Sequence, residues 1–146
     1  MEHLFTLNID WTGGRNGTGR LQARDLQTSV SIPTEMNGPN VGTNPDEMLL
    51  GASATCFLIT YAMLLEKSKI DVQSLTVTSE ATVDVTNGVY TFKKIVHKPT
   101  IVTPLLEERL QKKVQILAQK AEGTCMISKA LKGNVEIHVE PSHEMR

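Results

Sequence analysis

Two cysteines, Cys56 and Cys125, carry the most distinctive chemistry in this sequence. A cysteine thiolate attacks electrophiles and exchanges with disulfides, whereas a buried cysteine acts as a small apolar residue. Cys56 stands in the uncharged stretch Met48–Leu65, which suits a core position. Cys125 follows Gly123 and Thr124, and Thr124 is expected to cap a short helix whose first turn, where the dipole favours a thiolate, contains Cys125. The residues alone leave a structural and a reactive role open for both thiols.

Three charged residues are candidates to accompany a reactive thiol. Arg15 lies in the turn TGGRNG, where small neighbours let a guanidinium reach into a site, although a solvated loop arginine has the same context. Glu47, three residues after Asn44, fits a capping box in which it reaches back to the N–H of Asn44. That leaves Asp46 free to pair with an arginine. A negative charge at a helix N-terminus explains Asp46 equally well.

Metal binding and acyl transfer find little support in the spacing of the possible ligands and bases. No CxxC or HxxxH pair occurs, so no metal site is expected. A cysteine acyl-transfer enzyme or thioesterase needs a histidine base near Cys56. No motif indicates such a base among the histidines, which are His3, His97, His138 and His143.

Composition and charge indicate one globular domain over residues 1–146. Hydrophobic residues make up 40% and charged residues 21%, which allows a substantial core and argues against disorder. The net charge of -1 and the aromatic content of 4% argue against nucleic-acid binding. The N-terminal MEHLFTLNIDW alternates apolar with polar residues and contains an acid, unlike a signal peptide, so we expect a cytoplasmic protein.

Alternation of apolar and polar residues predicts several strands, two of them joined by the hairpin signal Asn87-Gly88. Because strands and helices occur in blocks, the sequence predicts the α+β class. The predicted strands are Phe5–Trp11, Arg20–Arg24, Thr28–Ile32, Leu75–Val85, Val89–Lys98 and the closing NVEIHVE.

Three helices are predicted between and after these strands. The first begins with the cap Asn44 and with Pro45 and ends near Lys67 to Lys69. It is long enough for a membrane span, but its cap and its internal glycine, serine and threonines favour a core helix, so no membrane is expected. The other two are predicted from Thr103-Pro104 to Gly123, with Leu106, Leu110, Val114, Leu117 and Ala121 on one stripe, and over Cys125–Leu131.

Four segments together resemble the OsmC/Ohr family of thiol-dependent hydroperoxide reductases. They are GGRNG at 13–17, GTNPDEMLLGASATCFL at 42–58, TCMISKAL at 124–131 and GNVEIHVE at 133–140, and the block around Cys56 is the most specific. The resemblance implies an OsmC-like fold: N-terminal β-strands, a long central helix carrying Cys56, a β-hairpin, a second helix, a short helix with Cys125 and a C-terminal strand. It also implies an intertwined homodimer.

The resemblance also implies roles for the candidate residues. Cys56 falls where the peroxide-attacking cysteine sits, Cys125 where its resolving partner sits, and Arg15 where an arginine assists the thiol. Asp46 takes the place of a glutamate that pairs with this arginine; its side chain is one methylene shorter, and Glu47 is the alternative partner. No bound cofactor is implied, because an external dithiol of the lipoyl type restores the cysteine pair.

An apolar setting around Cys56 is expected to form the substrate pocket. Its predicted members are Leu49, Leu50, Phe57 and Met63. Such a pocket favours an organic hydroperoxide over hydrogen peroxide, because burial of an alkyl tail is favourable. The expected function is reduction of organic hydroperoxides to alcohols in defence against oxidative stress. The alternative is a non-catalytic OsmC-like module that binds a small apolar ligand.

Overall fold

The computed structural model describes all of residues 1–146. The chain divides into two compact units, residues 1–48 and 49–146. Three α-helices and two sheets confirm the α+β class. The single domain over residues 1–146 stays a prediction, as does the intertwined homodimer.

The first unit contains an antiparallel sheet in the order β1-β2-β3. Its strands are β1 (Asn8–Thr12), β2 (Thr18–Ala23) and β3 (Leu26–Val30). The first strand begins later than the predicted Phe5, and the alternation that predicted it does not mark a buried face: β1 is an edge strand, and all five of its residues are exposed. In β2, Gly19 lies so close to β1 that an added Cβ would stand 2.2 Å from the carbonyl oxygen of Asp10. Only glycine permits this pairing.

Helix α1 spans Pro45–Lys67, as the cap and the C-terminal lysines predict. The backbone N–H of Glu47 donates to Asn44 Oδ1 at 2.9 Å, and Glu47 Oε1 accepts from Asn44 Nδ2 at 2.5 Å. Glu47 therefore bonds the side chain of Asn44 rather than its backbone N–H. The capping box joins the two side chains, so the helix start is fixed by local sequence.

Only some of the apolar residues of α1 are buried in the core. Four residues spaced by four form its buried stripe: Ser53, Phe57, Tyr61 and Leu65. On the remaining surface, Ile59 and Met63 are exposed. The core-helix prediction thus holds for one stripe only. By length and composition alone α1 could cross a membrane: its most apolar 18-residue segment has a mean hydropathy of 1.9. Of that segment, 22% is buried inside the protein.

The second unit contains a mixed sheet built around one long strand. Strands β4 (Ser74–Thr86) and β5 (Val89–Thr103) form the predicted hairpin at Asn87-Gly88, where both residues have positive φ. Strands β6 (Glu136–Val139) and β7 (Ser142–Met145) pair with β5 in parallel. Strand β5 continues past the predicted end at Lys98, because these partners hold its backbone through Thr103. Thr103 therefore ends a strand and does not open a helix.

The remaining helices are α2 (Glu108–Thr124) and α3 (Met126–Leu131). Gly123 does not end α2, whose last residue is Thr124, and Thr124 Oγ1 donates to the carbonyl oxygen of Lys120 at 2.8 Å. Thr124 therefore closes α2 and does not cap α3; the N-cap of α3 is Cys125. Leu106 precedes α2, whereas the rest of the predicted stripe faces the core. The core cluster is Phe57, Tyr61, Leu65, Ile101, Val114, Leu117, Ala118, Ala121 and Val139.

Candidate active site

The second unit brings the two cysteines together. Cys56 lies on α1, and Cys125 lies at the junction of α2 and α3, where its N–H donates to the carbonyl oxygen of Ala121 at 3.0 Å. Residues of α1 and α2 pack in the same core cluster, and this packing brings Cys56 and Cys125 close to each other. Both are free thiols, and they lie close enough that each shifts the pKa of the other. Cys125 is fully buried, whereas Cys56 is only partly so, which contradicts a core position for Cys56.

The surroundings of Cys56 favour its thiolate. Burial raises the pKa of this thiol, but hydrogen bonds from the Cys125 thiol and from the backbone N–H groups of Ile127 and Met126 outweigh burial. The net result is a pKa below the ordinary cysteine value. Hydrogen bonds to the charged form stabilise it, so Cys56 is the more nucleophilic of the two thiols.

Cys125 has the opposite tendency. Burial raises the pKa of its thiol, and the hydrogen bond with Cys56 raises it further. Deprotonation is therefore easier at Cys56 than at Cys125. The surroundings shift the pKa values of two identical groups in opposite directions, an arrangement that is common at catalytic sites.

The charged candidates lie in the first unit and do not pair with one another. The guanidinium of Arg15 donates to the carbonyl oxygens of Met36 at 2.6 Å and Asn37 at 3.3 Å. Arg15 forms no ion pair with Asp46 or Glu47. The expected ion pair between Arg15 and the carboxylate of Asp46 or Glu47 is therefore not formed in this structure. The catalytic roles of all three residues stay predictions.

The expected pocket residues have different environments. Leu49 and Leu50 are half-buried, and Met63 is 62% exposed. Phe57 belongs to the core, is fully buried and stacks on His97 with ring centroids 4.8 Å apart. Phe57 thus supports the turn of α1 next to Cys56 instead of offering its ring to a substrate.

His97 is an important residue that the sequence motifs did not reveal. It is fully buried on β5, with Nδ1 at 2.7 Å from Ser79 Oγ and Nε2 at 3.2 Å from Ser53 Oγ. Burial lowers its pKa to about 4, so the ring is neutral at pH 7. Its only sequence signal is its place between Ile95 and Ile101 on the inward face of the strand.

This histidine does not support an acyl-transfer site. Both ring nitrogens of His97 are occupied by serine hydroxyls, and no histidine is among the groups that bond Cys56. A general base must reach the proton that it removes. The hydrogen bond to Ser53, one turn before Cys56, instead fixes α1 against the sheet.

Comparison with known proteins agrees with these features. The sequence model of OsmC-like proteins matches residues 38–140. An uncharacterised protein of Bacillus subtilis, YmaD, is 49% identical over 144 residues, covering 97% of this chain and 95% of that protein. An organic hydroperoxide resistance protein of Xanthomonas axonopodis is 27% identical over 138 residues, covering 92% of each.

A solved structure extends the agreement to the fold. The organic hydroperoxide resistance protein OsmC of Legionella pneumophila superposes with a TM-score of 0.76 at 25% identity, covering 97% of this chain and 99% of that one. The family match spans most of the chain and includes both cysteines. The chain therefore belongs to the OsmC/Ohr family.

Proposed function

We propose that this protein is a thiol-dependent peroxidase that reduces organic hydroperoxides to alcohols. The observation that carries the proposal is the adjacent pair of free thiols, in which Cys56 is partly exposed and has a lowered pKa, whereas Cys125 is buried and has a raised pKa. The hydroperoxide resistance protein of Xanthomonas axonopodis supports the same substrate class.

The first half of the reaction uses both thiols. The Cys56 thiolate attacks one peroxide oxygen, the O–O bond breaks, and the alkoxide leaves and takes a proton to become the alcohol. Cys56 becomes a sulfenic acid. The Cys125 sulfur then attacks the Cys56 sulfur and expels water, which leaves a Cys56–Cys125 disulfide.

An external dithiol completes the cycle. Its two thiols exchange with the protein disulfide, which is reduced by two electrons while the dithiol closes to a cyclic disulfide. We propose a lipoyl-type dithiol for this step on the resemblance of the chain to its family. No bound cofactor is needed, because the electrons pass through sulfur alone.

Turnover with two peroxides tests this function. With dihydrolipoamide as reductant, we expect catalytic consumption of cumene hydroperoxide and a kcat/KM at least about tenfold lower for hydrogen peroxide. The difference comes from burial of the aromatic tail, since each buried CH₂ contributes roughly 0.8 kcal/mol.

Two other outcomes have clear meanings. Equal kcat/KM values for the two peroxides would keep the peroxidase but remove the apolar substrate preference. If the fully reduced protein consumed neither peroxide, the proposed function would be wrong, and binding of a small apolar ligand would become the leading explanation.

A further inference from the structure

The two sulfurs of the site differ in access from solvent. In the dithiol protein Cys125 is fully buried and Cys56 is partly exposed. An external thiolate must approach the sulfur that it attacks, so the disulfide is open to attack at Cys56. The sulfur of Cys125 is then the leaving group. Burial makes a thiolate at this position unfavourable, so reduction requires a group that stabilises it.

Ser128 is the residue placed to provide that group. It lies three residues after Cys125, at the N3 position of α3, and is 94% buried, being only 6% exposed. Because Cys125 is the N-cap of α3, the N3 residue lies beside its side chain, and the Ser128 N–H and hydroxyl both act to lower the pKa of the Cys125 thiol. Ser128 Oγ is buried and has no hydrogen-bond partner in the dithiol protein. A buried hydroxyl without a partner is unfavourable, and a charged sulfur beside it would be a strong acceptor.

We propose that reduction of the disulfide begins at Cys56 and that the Ser128 hydroxyl donates a hydrogen bond to the departing Cys125 thiolate. This inference rests on the proposed function for its place in a catalytic cycle. The attacking thiolate of a dithiol forms a mixed disulfide with Cys56 as the Cys56–Cys125 bond breaks. Cys125 then takes up a proton. The second thiol of the reductant attacks the reductant sulfur of the mixed disulfide and releases Cys56 as a thiolate.

The test separates the two halves of the cycle. The Cys56–Cys125 disulfide is prepared with diamide, which needs no peroxidase activity, and its reduction by dihydrolipoamide is followed by stopped-flow. We expect Ser128→Ala to slow reduction about tenfold or more, because a hydrogen bond to a charged group is lost. Reaction of the reduced variant with cumene hydroperoxide should stay within about twofold of wild type, since Ser128 is not among the groups that shift the pKa of Cys56.

Two variants and a chemical trap sharpen the result. Ser128→Thr keeps the hydroxyl and should recover most of the rate, and Ser142→Ala, at an exposed serine of β7, should not change it. Brief treatment of the disulfide with 2-mercaptoethanol, acid quenching and alkylation should place the mixed disulfide on Cys56 and the alkyl group on Cys125.

The inference can fail even if the peroxidase is real. A mixed disulfide on Cys125 would overturn the order of attack. Reduction of Ser128→Ala at the wild-type rate, or equal slowing of both half-reactions, would overturn the role of the hydroxyl. Failure of the proposed function would look different: the diamide-formed disulfide would be reduced as expected, but peroxide would not be consumed.

Discussion

Cys56→Ser is expected to abolish peroxide consumption, lowering kcat/KM for cumene hydroperoxide by about 10³-fold or more. The serine hydroxyl is not ionised at neutral pH and cannot replace the thiolate that the hydrogen bonds of the site stabilise. Cys56 is only partly buried and exchange of sulfur for oxygen changes little volume, so the variant should remain folded. Consumption of cumene hydroperoxide with dihydrolipoamide present measures the effect.

Cys125→Ser is the matched control for this prediction. The backbone N–H groups of Ile127 and Met126 still favour the Cys56 thiolate, so the first attack on the peroxide should persist with one equivalent consumed. No resolving thiol remains, so the Cys56 sulfenic acid should accumulate and be over-oxidised by excess peroxide. Equal activity of Cys56→Ser and wild type would contradict the assigned roles. So would a Cys125→Ser variant that fails to consume the first equivalent of peroxide while Cys56→Ser still consumes it.

The second large effect concerns His97 and the stability of the fold at low pH. The pKa of His97 is lowered from 6.5 to about 4 by burial. As the pH falls, His97 is therefore protonated near pH 6.5 in the unfolded chain but stays neutral in the folded protein until about pH 4. The resulting stabilisation is complete above pH 6.5 and is lost as the pH falls to about 4. This loss is roughly 3 kcal/mol, since each pKa unit corresponds to about 1.36 kcal/mol.

Urea unfolding at several pH values measures this contribution. His97→Gln keeps a donor and an acceptor for Ser53 and Ser79 but cannot titrate, so its free energy of unfolding should fall less between pH 6.5 and 4. His3→Gln, at an exposed histidine, should behave as wild type. NMR titration of the His97 ring in the wild-type protein provides an independent readout. Identical pH dependence in wild type and His97→Gln would contradict the prediction.

Local signals in the sequence were sufficient for several elements. Asn44 and Glu47 define the start of α1 through contacts within one turn, and Asn87-Gly88 defines the hairpin because few residues accept positive φ there. These features depend on neighbours in the chain. They are therefore readable before any tertiary structure is known.

Elements that depend on distant partners were missed. Strand β5 runs through Pro99 to Thr103 because β4 and β7 pair with it, and β7 itself lacks an alternating apolar pattern. The strand propensity of a segment is weaker than the effect of its sheet partners. The boundary of α2 was misplaced for the same reason.

The candidate site was only partly readable. The proximity of Cys56 and Cys125 follows from helix packing, and the sequence suggested it only through resemblance to a family. Which thiol is buried was left open by the sequence, because periodicity along α1 does not show which stripe meets the core. His97 was missed because its serine partners come from other elements.

Mapping the cysteines after a single equivalent of oxidant tests the central claim most directly. Reduced protein is treated with one equivalent of cumene hydroperoxide, alkylated, digested and examined by mass spectrometry. The proposed mechanism predicts one equivalent of cumyl alcohol and an intramolecular disulfide between Cys56 and Cys125. Recovery of both cysteines as alkylated thiols, or oxidation of Cys125 with Cys56 intact, would contradict it.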